Sequence, residues 1–151
     1  MLSSKAKYAL RAAVFLAERQ GNETWTLASE IADAEDIPRK FLEAILVELR
    51  DSGIVASRRG RYGGYRLASP PARIAAGDVI RVIDGPLALA PCASRTQFGA
   101  CVDCVDPTIC ALRPMLQQAR DAVAGVLDGC SLATLERERR TRPPAAARNQ
   151  A

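Results

Sequence analysis

The chain has five cysteines and no histidine. Four of the five, Cys92, Cys101, Cys104 and Cys110, fall within one short run, CASRTQFGACVDCVDPTIC, residues 92–110. Thiolates are soft ligands, and four of them close in sequence can meet at one point without the rest of the fold bringing them together. Three chemistries compete for this run. An iron–sulfur cluster (2Fe-2S or 4Fe-4S) would take Cys92, Cys101, Cys104 and Cys110 as ligands. Structural zinc would need the same four thiolates in a tetrahedron. A ligand-free thiol switch would use disulfide chemistry, for instance between Cys101 and Cys104. The spacing Cys101-x2-Cys104 makes one metal knuckle but Cys92 and Cys110 do not make a second, which weighs against zinc. Gly, Asp and Pro interspersed through the run argue against four small core residues, whereas Cys130, just beyond Gly129, reads as plain packing. The missing histidine removes the usual general base and every Ser-His or Cys-His nucleophile pair, so an enzyme is not expected.

Charge is the second signal. The formal net charge is +4, unevenly placed. Residues 1–73 carry twelve Lys/Arg against nine Asp/Glu, and residues 113–151 seven against four, while the cysteine run holds one Arg and two Asp. Basic ends around a neutral-to-acidic centre suit a polyanionic partner.

The elements that must position these residues follow from periodicity. Between Lys5 and Gln20, Ala6, Leu10, Ala13, Val14 and Ala17 recur at helical spacing. Thr26 is a candidate N-cap for a short helix over LASEIADAED, with Leu27, Ile31 and Ala34 on one face. Asp36 and Pro38 announce a third helix, RKFLEAILVELRDSG, with Phe41, Leu42, Ile45, Leu46 and Leu49 inward and Gly53 at its end. IVASRR and GYRLAS are strand-like runs joined by the hairpin signal GRYGG. Helix, turn, helix and hairpin in this order describe a winged helix-turn-helix. AAGDVIRVIDG reads as a short helix. Beyond the cysteines, Ile109, Leu112, Leu116, Ala119, Val123 and Leu127 mark a long amphipathic helix with no partner in its own domain, which points to a homodimer. The expected fold is mostly α with a small β-hairpin wing and a long dimerisation helix. It divides into a DNA-binding unit (1–75), a cysteine-loop and dimerisation region (76–138) and a disordered tail (139–151).

In such a unit the exposed N-terminal side chains of the recognition helix reach base edges in the major groove; here they are Arg39, Lys40 and Glu43. Arg39 or Lys40 can donate to guanine, and Glu43 can accept from a cytosine amino group or repel phosphate in a wrong register. The hairpin tip carries Arg58, Arg59 and Arg61, suited to a narrow minor groove. Lys5 and Lys7 stand where they can neutralise phosphates.

SKAKYALRAAVFLA, IPRKFLEAILVELRDSGIVASRRGRYGGYRLA, AAGDVIRVIDGP and CVDCVDPTICAL together resemble the Rrf-two type bacterial transcription regulators, over residues 3–138. The resemblance implies a dimeric winged-helix repressor or activator that binds double-stranded DNA; a repressor acting on a palindromic operator is expected here. In cluster-binding members, three cysteines at the head of the dimerisation helix and one variable ligand hold an iron–sulfur cluster. Members with a carboxylate ligand take it from the first helix, beside the tyrosine that matches Tyr8, where this chain has Lys7. Members with a histidine ligand place it three residues after the last cysteine, where this chain has Arg113. Of the family's pattern of five residues between neighbouring cysteines, the gap from Cys104 to Cys110 alone is kept, which leaves Cys101 as the candidate fourth ligand. A clusterless regulator of the same fold, and a small redox protein that ignores DNA, are the alternatives. No run approaches the length of a membrane span, and clustered, odd-numbered cysteines suit a reducing cytoplasm, so a cytoplasmic protein with no membrane partner is expected.

Overall fold

The computed structural model describes residues 2–21 and 24–142. Its central element is α1 (Ser4–Glu18), capped by Ser3, whose hydroxyl accepts from the Ala6 N–H at 2.9 Å. Ala6, Ala9, Ala12 and Ala13 are fully buried, and Val14, Phe15, Leu16 and Ala17 are buried behind them. A row of small side chains lets neighbours approach closely, so α1 is surrounded rather than half exposed. Around it lie α2 (Ala28–Glu35), α3 (Arg39–Asp51), α4 (Ala76–Asp84) and α6 (Leu132–Thr141), while α5 (Arg113–Asp128) packs against α4.

The turn between α2 and α3 begins at Asp36, in the left-handed region at φ 48°, where the Ile37 N–H donates to the Ala32 carbonyl at 3.0 Å. Asp tolerates this conformation better than most residues. Leu42, Ile45, Leu46 and Leu49 of α3 are fully buried. Phe41, expected inward, is instead 41% exposed and meets the Tyr8 ring edge-on at 5.8 Å. At 100° per residue it falls outside the arc set by its four buried neighbours.

Strands β1 (Val55–Arg58) and β2 (Gly64–Leu67) form the antiparallel wing, with Val55 opposite Leu67 and Arg58 opposite Gly64. Thr26 does not cap α2. Its backbone exchanges hydrogen bonds with Tyr65, at 3.0 and 2.7 Å, and its side chain is buried. The start of α2 is held instead by Glu30, which accepts from the Leu27 N–H at 2.8 Å. Gly64 is required at this seam: at φ 143° any Cβ would stand 2.4 Å from the Thr26 carbonyl oxygen.

Helix α5 begins at Arg113 with Pro114 in its first turn, a position where a missing N–H costs nothing. Ile109 and Leu112, expected within the helix, therefore precede it. After Asp128 the chain turns back. The Ala76 N–H donates to the Cys130 carbonyl and the Leu132 N–H to the Ile74 carbonyl, both at 2.8 Å, pinning the start of α6 beside that of α4. Cys130, expected to pack, is partly buried. Leu132 is fully buried in the main core. Arg139 to Thr141, placed by composition in a disordered tail, are the last turn of α6: Arg139 lies 2.6 Å from Glu35 and 3.1 Å from Glu18, so ion pairs to α2 and α1 order it. Residues 143–151 of that tail lie outside the described residues. No helix among the described residues is long and apolar enough to cross a membrane.

Candidate nucleic-acid interface and thiol loop

The basic face is built by three elements that meet at one groove. The N-terminus of α2 contributes Ser29, α3 contributes Arg39 and Arg50, and the wing contributes Ser57, Arg58 and Arg59, enclosing a groove of about 400 Å³. Arg39, Lys40 and Glu43 are all exposed on the leading turns of α3. Arg39 Nε donates to Glu43 at 3.1 Å. This i,i+4 pair orients the guanidinium along the helix, so the two side chains form one unit. Arg58, Arg59 and Arg61 are exposed on and beside the hairpin tip, with the Arg61 guanidinium 5.6 Å from the Tyr62 ring centre.

The two lysines of α1 part company. Lys7 is exposed. Lys5 Nζ lies 2.5 Å from Glu48 of α3, so its charge is already matched within the chain. Arg50 went unnoticed in the sequence. It stands eleven residues after Arg39, which at 100° per residue is about three full turns, so both side chains fall on one helix face. That spacing was the available signal. Trp25 was also missed: its ring carries the Arg66 guanidinium at 4.4 Å, stiffening the outer edge of the wing.

The cysteine run lies between α4 and α5. Cys92 sits in a short 3-10 turn, Pro91–Ala93, and is 2% exposed. This turn is strapped to α5: Arg113 Nε donates to the Cys92 carbonyl at 3.2 Å and Arg120 donates to the Ala93 carbonyl. Arg95 and Arg120 both reach Asp121, at 3.0 and 2.6 Å. The same pairing holds the Asp121 carboxyl below the usual carboxylate range, mainly through its hydrogen bond from Arg120. Phe98 lies under the Arg113 guanidinium, 5.4 Å from it.

Cys92 and Cys101 bring their sulfur atoms to 3.9 Å. Cys101, Cys104 and Cys110 are partly buried, and the Cys104 N–H donates to the Cys101 carbonyl at 3.0 Å. Burial, followed by the neighbouring thiols, pushes the Cys92 and Cys104 thiols up, with Arg113 opposing the shift at Cys92. As a donor set, four thiols suit iron–sulfur or zinc. Their placement does not: among the described residues no three His, Cys, Asp or Glu side chains stand close enough together to hold one metal ion. Cys101 thus meets Cys92 through its sulfur and Cys104 through its backbone.

A family model described as "Rrf2: Iron-dependent Transcriptional regulator" matches residues 2–138. The chain belongs to the Rrf2 family. It is 36% identical over 134 residues to the HTH-type transcriptional regulator CymR of Bacillus subtilis, covering 89% of this chain and 88% of the relative. Against the HTH-type transcriptional regulator NsrR of Geobacillus kaustophilus it is 36% identical over 138 residues, covering 91% and 90%. The solved structure of B. subtilis CymR, titled the global cysteine regulator, superposes with a TM-score of 0.74 at 36% identity over 91% of this chain and 97% of that one. That of T. potens IscR superposes with a TM-score of 0.70 at 26% identity over 96% and 93%. The Rrf2 winged-helix fold, which the sequence motifs imply, is thereby established, and with it a role in DNA-binding transcriptional regulation.

Proposed function

We propose that this Rrf2 regulator acts as a homodimer on palindromic double-stranded DNA, as a repressor whose operator affinity follows the state of its thiol loop. The observation that carries the reading is the groove in which Arg39 and Arg50 of α3 face Arg58 and Arg59 of the wing. Cations on two elements that flank one channel match the phosphates on either side of a groove, and counterion release then supplies much of the affinity. Arg39, held by Glu43, presents a fork to guanine N7 and O6, and Lys40 stands beside it as a second donor. Lys7 lies free to meet phosphate, whereas Lys5 must first leave Glu48.

Dimerisation is supported by α5, none of whose residues is buried although Met115, Val123 and Val126 are large and apolar. Together with Leu127 and the α4 side chain Ile80, Val123 lines an open apolar groove that a second copy of α5 would fill. A two-fold axis through such a pair places two recognition helices on two half-sites.

The family's description as iron-dependent supports an iron–sulfur cluster over zinc at Cys92, Cys101, Cys104 and Cys110. For all four to reach one centre, the stretch between Cys92 and Cys110 must close further than its present fold, so control by thiol redox state alone is the second reading. Binding of the chain's own upstream DNA, followed by fluorescence anisotropy at several salt concentrations alongside light scattering for mass, tests the core of the proposal. The expected result is a salt-sensitive complex of two chains per operator. A monomer, or no binding at low salt with or without iron loading, overturns it.

A further inference from the structure

Cys101 lies nine positions after Cys92, and hydrogen bonds within the intervening loop bring the two together. The Gly99 N–H donates to the Pro91 carbonyl at 3.3 Å, closing the neck of the loop, and the Gln97 N–H donates to the Ser94 hydroxyl at 3.0 Å, turning the chain inside it. The joined positions lie one residue before Cys92 and two before Cys101, which keeps the two cysteines in the same neighbourhood, and their sulfurs stand 3.9 Å apart. Closing that distance to the roughly 2 Å of an S–S bond asks for a shift within reach of a surface loop. The two thiols are unequal. Cys92 is buried and anchored to α5 through Arg113 and Arg120, while Cys101 is partly exposed on the returning arm.

We propose that Cys92 and Cys101 form a reversible dithiol–disulfide pair, with Cys101 as the oxidant-facing thiol, Cys92 as the resolving thiol, and a hydroperoxide as the oxidant. The inference rests on the reading of this loop as the regulator's control element. Hydrogen peroxide loses one oxygen to the Cys101 sulfur: its O–O bond breaks, an S–OH bond forms, and the thiol proton leaves with the other oxygen as water. The Cys92 sulfur then attacks the Cys101 sulfur. The S–O bond breaks, the S–S bond forms, and the hydroxyl departs with the Cys92 proton as a second water. In sum, two thiols are oxidised by two electrons and one peroxide is reduced to two waters. The bond freezes residues 92–101 against the head of α5 and withdraws two of the four candidate ligands, so the oxidised chain cannot take a metal through all four thiols.

The test uses the full-length, metal-free protein, exposed to equimolar hydrogen peroxide, alkylated in denaturant and digested without reductant for mass spectrometry. The expected product is one intramolecular crosslink between the peptides carrying Cys92 and Cys101, reversed by dithiothreitol. It should persist in Cys104→Ser and Cys110→Ser and vanish in Cys101→Ser, whose partly exposed site should tolerate the change. Cys92→Ala, which avoids burying a new hydroxyl, is the second variant, with its fold checked by circular dichroism. Reconstitution with ferrous iron and sulfide should load the reduced protein and fail on the crosslinked one until dithiothreitol is added. A Cys101–Cys104 crosslink, a crosslink between chains, or equal alkylation of all four thiols after peroxide overturns the proposal. DNA binding by the reduced protein, measured on the same preparation, reports on the regulator reading separately, because it needs no crosslink.

Discussion

Arg139→Met is the perturbation that most directly probes how the C-terminal helix serves the DNA-binding unit. Glu35, the last residue of α2, has a side chain only 5% exposed, and it faces two arginines: Arg139 Nη1 at 2.6 Å and Arg11 Nε at 3.3 Å. Arg11 also donates to the Glu35 carbonyl. Glu35 Oε1 has no aligned hydrogen-bond donor, so Arg139 holds it as a charge rather than through a directed bond. Methionine keeps most of the aliphatic stem and removes that charge. Stripping one partner from a fully buried pair costs about 3–5 kcal/mol. Arg139 is 41% exposed and Arg11 remains, so screening reduces the expected loss to about 2 kcal/mol. For a chain of this size that lowers the melting temperature by roughly 4–8 °C. Denaturant unfolding of Arg139→Met, Glu35→Gln and the double variant measures the coupling. The neutral glutamine no longer needs a cation, so the double variant should be more stable than the summed single losses allow, by about 1 kcal/mol. Losses that simply add, or an Arg139→Met midpoint indistinguishable from the parent, would refute the claim that α6 holds α2 by charge.

Gly64→Ala should shift the wing away from Thr26, because its Cβ would lie 2.4 Å from the Thr26 carbonyl oxygen at φ 143°; thermal unfolding should register a loss of about 1–3 kcal/mol, with weakened DNA binding. Arg59→Ala should weaken binding to all DNA sequences alike and flatten the plot of log affinity against log salt by about 0.9 per subunit, hence about 1.8 for a dimer on its operator, measured by anisotropy titration. Asp128→Asn should flatten the acid limb of the stability curve. The hydrogen bonds from Arg81, at 2.7 and 2.8 Å, hold the Asp128 carboxyl below its ordinary range. A depressed carboxyl stabilises the fold above its unfolded value, about 3.9, and that contribution is lost as pH falls through the lower folded value. Urea melts of parent and variant between neutral and acid pH read the difference, which should shrink as the pH drops.

What the sequence displayed clearly was whatever depends on neighbours a few residues away. The apolar spacing of α1 and α3, the break at Asp36 to Pro38, and the glycine-rich link between β1 and β2 all report local backbone preference, and the corresponding elements stand where that preference puts them. Helix α6 was invisible by the same logic. SLATLERERR offers two leucines and a run of charges, too little to mark a buried face. What makes it a helix is remote: Leu132 enters a core shared with α1, and Arg139 meets Glu18 and Glu35. Thr26 failed as a cap because its partner, Tyr65, lies on the wing.

Residue types alone therefore determined the kind of chemistry on offer, cations for a polyanion and thiols for metal or redox work, along with the order of helices and strands. Tertiary structure decided which of those groups are available and to whom. It matched Lys5 to Glu48, aligned Arg39 and Arg50 with the wing, and set the Cys92 sulfur beside that of Cys101. Composition and periodicity carry short-range energies along the chain, whereas the choice of partner is settled where the folded backbone brings distant segments within a few ångströms of each other.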